Sequence, residues 1–307
     1  MKNGSIYTLK DYFQEKYKVR VYKIIVDAGF TCPNRDGTKG EGGCLYCDPQ
    51  GSGNNTFSKG VLLEEQVRHG RAFLKKRYRA EKFYIYFQAF SNTYAPVDEL
   101  KALYDRAVGC DEGDIVGIMI GTRPDCIDRE KLEMIASFAP KYDVWIEYGL
   151  QTIHQKTLEF INRKHTADDY VSAVDLTADL PLKITTHIIA GLPHESKQEI
   201  METVRFLVKK NRIHALKIHS LFVPRGSALE TLYQEKKLNI MSMEEYVHLV
   251  TDIIEVLPPH LIVARMAGET YKGNLVAPDW ADDKQKVIRE IYKELKRRGS
   301  FQGKKNK

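Results

Sequence analysis

An α/β fold, a parallel sheet with outer helices, is what this 307-residue sequence predicts. Three observations predict it. Short apolar, β-branched or aromatic runs alternate with helical patterns at about 30-residue spacing, the rhythm of strand–helix–strand crossovers. Runs such as Ile184–Ala190 are apolar without strict alternation, as strands covered on both faces are. No low-complexity linker splits the chain. Six or seven such units suit a full or an incomplete (β/α) barrel, with an open doubly wound sheet as the alternative. The expected architecture is a partial (β/α)6-type TIM barrel over residues 21–265, with an N-terminal extension at 1–20 and a basic C-terminal extension at 266–307.

Taken in order, the strands are expected at Val21–Val26, Phe83–Phe87, Ile115–Ile120, Val144–Tyr148, Ile184–Ala190, Ala215–Val223 and Leu261–Arg265. Helices are expected between them at Leu62–Arg79, Val97–Val108, Arg129–Phe138, Asp168–Ala178 and Lys197–Lys209. A further pair, Ser227–Lys237 and Ser242–Val256, precedes the last strand. Pro96 followed by Val97-Asp98-Glu99 is a helix start, with acids in the first turn where they suit the dipole. In barrels of this kind chemistry sits at the carboxyl ends of the strands. Those ends here carry Gln88 to Tyr94, Gly121 to Asp125, Glu147 to Thr152, His187 to Pro193, and His219 to Gly226.

Composition bounds the reading further. No apolar run approaches the ~18 residues of a membrane span, and the first twenty residues lack a secretory core, so a cytoplasmic, reducing compartment is expected. There, clustered cysteines serve metal or redox chemistry more often than bridges. The net charge of +6 is concentrated at the C-terminus: from Lys284 onward ten Lys/Arg face two Glu. Such a tail suits a polyanion; the bland alternative is a solvated helix face followed by a frayed end.

Three of the five cysteines lie in FTCPNRDGTKGEGGCLYC, residues 30–47. Cys44 and Cys47 can place both sulfurs on one centre, and the Gly-, Asn- and Asp-rich interval can fold back to deliver Cys32. Three thiolates on a [4Fe–4S] cluster leave one iron open. The alternative is a zinc site completed by a histidine such as His69. Cys110 and Cys126 read as bystanders.

A three-cysteine loop after the first strand, with Tyr46 before the last cysteine, resembles the radical S-adenosylmethionine superfamily. The long first interval departs from the usual CxxxCxxC. With YFQAFSNTY and HIIAGLPHE, it is similar to the YtqA/YhcC-like proteins, related to the radical domain of the Elongator catalytic subunit. The resemblance implies an enzyme whose cofactors are a [4Fe–4S] cluster on Cys32, Cys44 and Cys47 and S-adenosyl-L-methionine. Reductive cleavage would yield a 5′-deoxyadenosyl radical, with an external electron donor such as flavodoxin or ferredoxin. It places Tyr46 at the adenine, Gln88, Ser91, Asn92 and Thr93 where relatives hold the methionine amino group, Glu147 or Gln151 at the ribose, and Gly191 and Pro193 in the strand-five glycine motif. No Gly-Gly-Glu motif occupies the strand-two segment.

Glu147, His187, His219 and Arg123 are the candidate catalytic residues at the rim; a satisfied core histidine is the competing reading for each imidazole. Arg123, Arg225 and Arg265 can grip a carboxylate or phosphate, or else pair with Glu147 or Asp125. The resemblance points to tRNA as partner, at the wobble-uridine 5-substituent, in the carboxymethylaminomethyl to aminomethyl step; no DNA or membrane partner is implied. No acetyl transfer is expected. Radical chemistry on a small metabolite and a non-catalytic zinc-dependent RNA-binding module are the alternatives.

Overall fold

A computed structural model describes residues 6–51, 60–271 and 273–306. Its strands are β1 (Val21–Val26), β2 (Lys82–Phe87), β3 (Ile115–Thr122), β4 (Asp143–Gln151), β5 (Lys183–Ala190), β6 (Ala215–Ser220), β7 (Val223–Pro224), β8 (Ile262–Arg265) and β9 (Leu275–Ala277). Its helices are α1 (Leu9–Tyr17), α2 (Leu63–Tyr78), α3 (Val97–Gly109), α4 (Arg129–Ala136), α5 (Gln155–Phe160), α6 (Ala167–Ala178), α7 (Lys197–Lys210), α8 (Ala228–Gln234), α9 (Met243–Val256) and α10 (Lys284–Arg297).

Seven strands form one parallel sheet in the order β1-β2-β3-β4-β5-β6-β8. β1 and β8 remain its two edges, so the curled sheet is an incomplete barrel. Helix starts follow from local chemistry. Thr8, Thr166, Ser196 and Ser242 each cap a helix and exchange bonds with the acid three residues on, satisfying donors that the first turn leaves open. The outer face of the sheet buries Ile24, Phe83, Ile118, Ile146, Ile184 and Leu216 against the helices.

The inner face is different. Near the start of the strands, Tyr84, Met119, Trp145, Ala215 and Ile262 pack with Leu9 and Phe13 of α1. Asp143 ties that plug in place, accepting from Tyr12 at 2.7 Å and Tyr84 at 2.6 Å and pairing with Lys16 at 2.8 Å and Lys183 at 2.5 Å. Thr8 bridges Val263 beside β8. The open barrel is thereby stoppered at its amino end, and access is left to the carboxyl end.

The structure corrects two expectations. The run Ala215–Val223 is broken: β6 stops at Ser220, and Val223–Pro224 turns away to pair antiparallel with β9. The basic end is not frayed. α10 buries Val287, Ile291 and Leu295 against α9. Beyond it, the Gln302 amide donates to Pro258 and Leu261 carbonyls, both at 2.7 Å, and accepts from Tyr7 N at 2.8 Å. Arg298 pairs with Asp252 at 2.5 Å, Arg297 with Glu294 at 2.6 Å, and Lys305 with Glu255. Leu261 precedes β8, so this tail lies at the amino end of the sheet. Among the described residues, no helix is long and apolar enough to cross a membrane.

Candidate active site

The interval between Cys32 and Cys44 is a closed excursion. Arg35 N donates to Cys32 O at 2.8 Å, Asp36 bridges Glu41, and Gly43 N returns to Asn34 O at 2.8 Å. Gly43 holds φ +81°, and a Cβ there would meet Arg35 Nε at 2.8 Å, so the return requires glycine. Eleven residues therefore separate the cysteines in sequence while the backbone brings Cys44 back beside the start of the loop. Cys47 N then bonds Cys44 O at 2.9 Å.

All three sulfur-bearing residues line one cavity of about 330 Å3 at the carboxyl ends of the strands. Two nitrogen donors, Asn34 Nδ2 and Arg163 Nη1, each approach Cys44 Sγ to 3.5 Å. Burial pushes the Cys44 thiol up, but the Arg163 guanidinium outweighs it and holds the thiol below its ordinary value. Arg163 is itself fixed, donating to Gly149 O at 2.7 Å and to His165 Nε2 at 2.8 Å. Among the described residues, no three His, Cys, Asp or Glu side chains converge tightly enough to chelate a single ion. His69 lies exposed on α2, away from the cavity, so the alternative zinc site completed by that histidine does not assemble. A multi-iron cluster asks for something else, one thiolate per iron around a shared space, and three thiols facing one cavity, one of them electrostatically favoured as thiolate, fit that group.

Beneath the cysteines the inner face of the sheet supplies a polar floor. Glu147 of β4 gathers three donors on Oε2: Tyr86 Oη at 2.7 Å, His187 Nε2 at 2.9 Å and Lys217 Nζ at 2.5 Å. Lys217 also donates to Tyr86 Oη at 2.9 Å. Burial works against the Glu147 charge, but Lys217 and His187 hold its carboxyl well below the usual range. Burial and Lys217 lower His187 to about 4, so it is neutral at pH 7. His219 stacks on it, ring centroids 5.2 Å apart.

Of the residues expected from sequence, Cys32, Cys44, Tyr46, Cys47, Gln88, Asn92, Arg123, Glu147, Gln151, His187 and His219 share this cavity wall. Ser91 and Thr93 do not: their hydroxyls bond Thr122 Oγ1, at 2.9 and 2.6 Å, in a fully buried knot. Asn92 points its amide at the Phe87, Ala89 and Gly121 carbonyls and so braces the turn where Ala89 and Phe90 take positive φ. Gly191 holds φ +92° and, with Pro193, stands outside the cavity wall. Arg123 is paired with Asp125 by two bonds of 2.8 Å, the ion pair weighed as its alternative. Arg225 is exposed, and Arg265 pairs with Glu269 at 2.8 Å. Cys110 Sγ lies 3.4 Å from Arg106 O, and Cys126 is buried outside the wall.

Sequence reasoning missed Tyr86, Lys217 and Arg163. The first two had a signal: Tyr84, Tyr86 and Gln88, like Ala215, Lys217 and His219, are spaced by two, so a cavity-facing Gln88 or His219 puts its neighbours on the same face. Arg163 follows α5 in a loop and had none.

Comparisons with known proteins identify the family and the fold. A sequence model of the Radical SAM superfamily matches residues 32–207, and one of the Radical_SAM C-terminal domain matches residues 213–297. The chain is 36% identical to the protein YtqA of Bacillus subtilis over 97% of its own length and 92% of that protein. It is 27% identical to a tRNA uridine(34) acetyltransferase of Methanocaldococcus jannaschii, over 49% of this chain and 28% of that one. A solved structure of Elp3 from Methanocaldococcus infernus is similar in fold, with TM-score 0.66 at 16% identity, over 92% of this chain and 64% of that chain.

Proposed function

The chain belongs to the radical S-adenosylmethionine superfamily, and from that premise we propose that it acts on the 5-substituent of a tRNA wobble uridine, at the carboxymethylaminomethyl to aminomethyl step. Enzymes of this superfamily use a [4Fe–4S] cluster and S-adenosylmethionine. When bound, these supply the 5′-deoxyadenosyl radical that removes hydrogen from an unactivated carbon. Everything else falls to the residues of the chain.

Cys32, Cys44 and Cys47 would hold the cluster, with Arg163 and Asn34 donating to the Cys44 sulfur. Tyr46, Gln88 and Gln151 line the same wall and are the residues we assign to the nucleoside and methionine ends of the cofactor. Ile25, Ile189, Leu221 and Phe222 supply the apolar surface that keeps water and stray hydrogen donors from a reactive centre. Glu147, Lys217 and His187 hold one another at the floor and orient what lies above them. The observation that carries the reading is that the three cysteines and this ordered polar floor face the same cavity.

The tRNA assignment draws on the relative that is named a tRNA uridine(34) acetyltransferase. A target base would have to be splayed out of its stack to enter the cavity. A small-metabolite substrate is the second reading. One observation favours it: the basic tail has acidic partners of its own and sits at the end of the sheet away from the cavity.

Anaerobic reconstitution tests the chemistry: the protein should bind iron and sulfide and release 5′-deoxyadenosine, and Cys32→Ala, Cys44→Ala or Cys47→Ala should abolish both. Nucleoside mass spectrometry of tRNA from a deletion strain tests the substrate. Accumulated carboxymethylaminomethyl-uridine supports it; unchanged nucleosides remove it and leave the radical chemistry standing.

A further inference from the structure

One polar atom at the cavity floor has no partner among the described residues. His219 Nε2 is buried and makes no hydrogen bond to them, although its residue lines the cavity. Leaving such a group unmet carries a desolvation penalty, and native structures keep few of them without a reason.

Basic side chains gather at this end of the cavity, Arg265 and Lys217 acting on His219 itself. Lys217 and Arg265 are register partners on β6 and β8, and both line the cavity. Lys23 stands over the Tyr86 ring at 4.9 Å, and Lys284 reaches Glu269 at 3.2 Å. Against these four basic groups, of which burial leaves Lys217 only partly protonated at pH 7 and lowers Lys23 to about 8, stand two carboxylates, Glu147 and Glu269. The histidines add nothing, since burial and Arg265 hold His219 neutral. Burial drives Lys217 down to about 7; Glu147 opposes the shift and Lys23 and Arg265 reinforce it.

The donors are not exhausted either. Lys217 gives protons to Glu147 Oε2 and Tyr86 Oη, and an ammonium has a third. Among the described residues Arg265 offers only Nη2, to Glu269, whose side chain is half exposed. A cluster of unspent donors with surplus positive charge, at the bottom of a cavity, is a receptor for an anion.

We propose that this floor is a carboxylate-binding subsite, in which Arg265 and Lys217 receive a substrate carboxylate and His219 Nε2 donates to one of its oxygens. The inference rests on the proposed reading only for the identity of the substrate. In a carboxymethylaminomethyl group the carboxylate is bonded to a methylene beside nitrogen, so anchoring the acid holds that methylene above the floor. A phosphate shares the charge, and the test separates the two.

The experiment is calorimetric titration of the reconstituted enzyme with S-adenosylmethionine present, using N-benzylglycine, N-benzylglycinamide and N-benzylaminomethylphosphonate. The acid should bind at least about tenfold tighter than the amide, the discrimination expected when a site's charged donors lose their acceptor. Arg265→Gln and His219→Phe should each erase that preference while leaving the weak amide binding, and Arg265→Lys should restore part of it. Equal affinity for acid and amide on the unaltered enzyme overturns the subsite without any variant. A phosphonate that binds tighter than the acid also overturns it, and assigns the floor to phosphate. None of these arms uses RNA, so an unchanged tRNA profile would sink the wobble-uridine reading and leave the acid–amide comparison intact.

Discussion

Lys217 Nζ lies 2.5 Å from Glu147 Oε2, and each side chain is 1% exposed. Two charges so enclosed are poor evidence of net stability, since desolvation offsets their attraction. Removing one is another matter. Lys217→Met strands a carboxylate that still faces Tyr86 and His187, and should cost about 3–5 kcal/mol in urea denaturation. The double variant Glu147→Gln/Lys217→Met should lose clearly less than the two single losses combined, because the second change removes the charge that the first left bare. Additive losses would show that the pair does not act as a unit.

Arg163 gives a prediction that activity alone would not. Its guanidinium lies 3.5 Å from Cys44 Sγ. A cluster gains negative charge on reduction, and a nearby cation with an N–H···S contact favours that state. Arg163→Met should move the midpoint potential of the reconstituted cluster more negative, on the order of 50–100 mV for an interaction of about 1–2 kcal/mol. Potentiometric titration followed by paramagnetic resonance reads the shift directly. An unchanged midpoint would mean that Arg163 only braces Gly149 and His165.

The strand starts were legible because buried parallel strands carry their own signature. β1 was read residue for residue, and β2, β4 and β5 came within a few positions. α1 was not seen: LKDYFQEKY is mostly polar, and its apolar stripe is only Leu9 and Phe13. It exists because Asp143, far along the chain, collects Tyr12 and Lys16. That the three cysteines share one cavity was legible in the spacing, since the Gly-, Asn- and Asp-rich interval can fold back on itself; the cluster reading came from the resemblance. Lys217 was missed although its spacing by two from His219 puts it on the cavity face, because a lysine in a strand ordinarily means solvent and its partner Glu147 lies two strands away. That the basic end is anchored rather than frayed was hidden in a similar way: its acidic partners Asp252 and Glu255 sit on α9, where a count of local charge does not reach.

Acid sensitivity should have an identifiable contributor at the rim. Burial works against the Asp125 charge, but Arg123 and Lys39 outweigh it and bring the carboxyl to about 2. A carboxylate depressed in the fold stabilises it above the unfolded value near 4, and that contribution disappears as pH falls from about 4 to 2. With both Asp125 and Arg123 side chains 2% exposed, the contribution is on the order of 2 kcal/mol. Asp125→Asn should therefore be less stable at pH 7 and show a flatter loss between pH 4 and 2. Parallel stability–pH curves for the two proteins would contradict this.

The tail supplies the last test, and the structure changes how it must be made. Sequence alone suggests deleting the residues beyond Gly299 and watching RNA affinity lose its salt dependence. Here that deletion also removes Gln302, whose side chain joins Tyr7, Pro258 and Leu261 and is 5% exposed. Three hydrogen bonds, two buried and one part-buried, at about 1 kcal/mol each put the loss of stability at about 3 kcal/mol. Truncation should therefore lower the melting temperature, and so should Gln302→Ala in the full chain, although it removes no charge. Salt dependence needs charge reversals that spare this joint. Lys286 and Lys296 are exposed on α10, with no ion pair among the described residues. If the tail contacts tRNA, Lys286→Glu/Lys296→Glu should weaken binding and reduce the slope of log affinity against log salt by roughly one per lost phosphate contact, at an unchanged melting temperature. A slope that stays the same would place the RNA contacts elsewhere, at the carboxyl end of the sheet around the cavity mouth, where Arg35 and Arg225 stand.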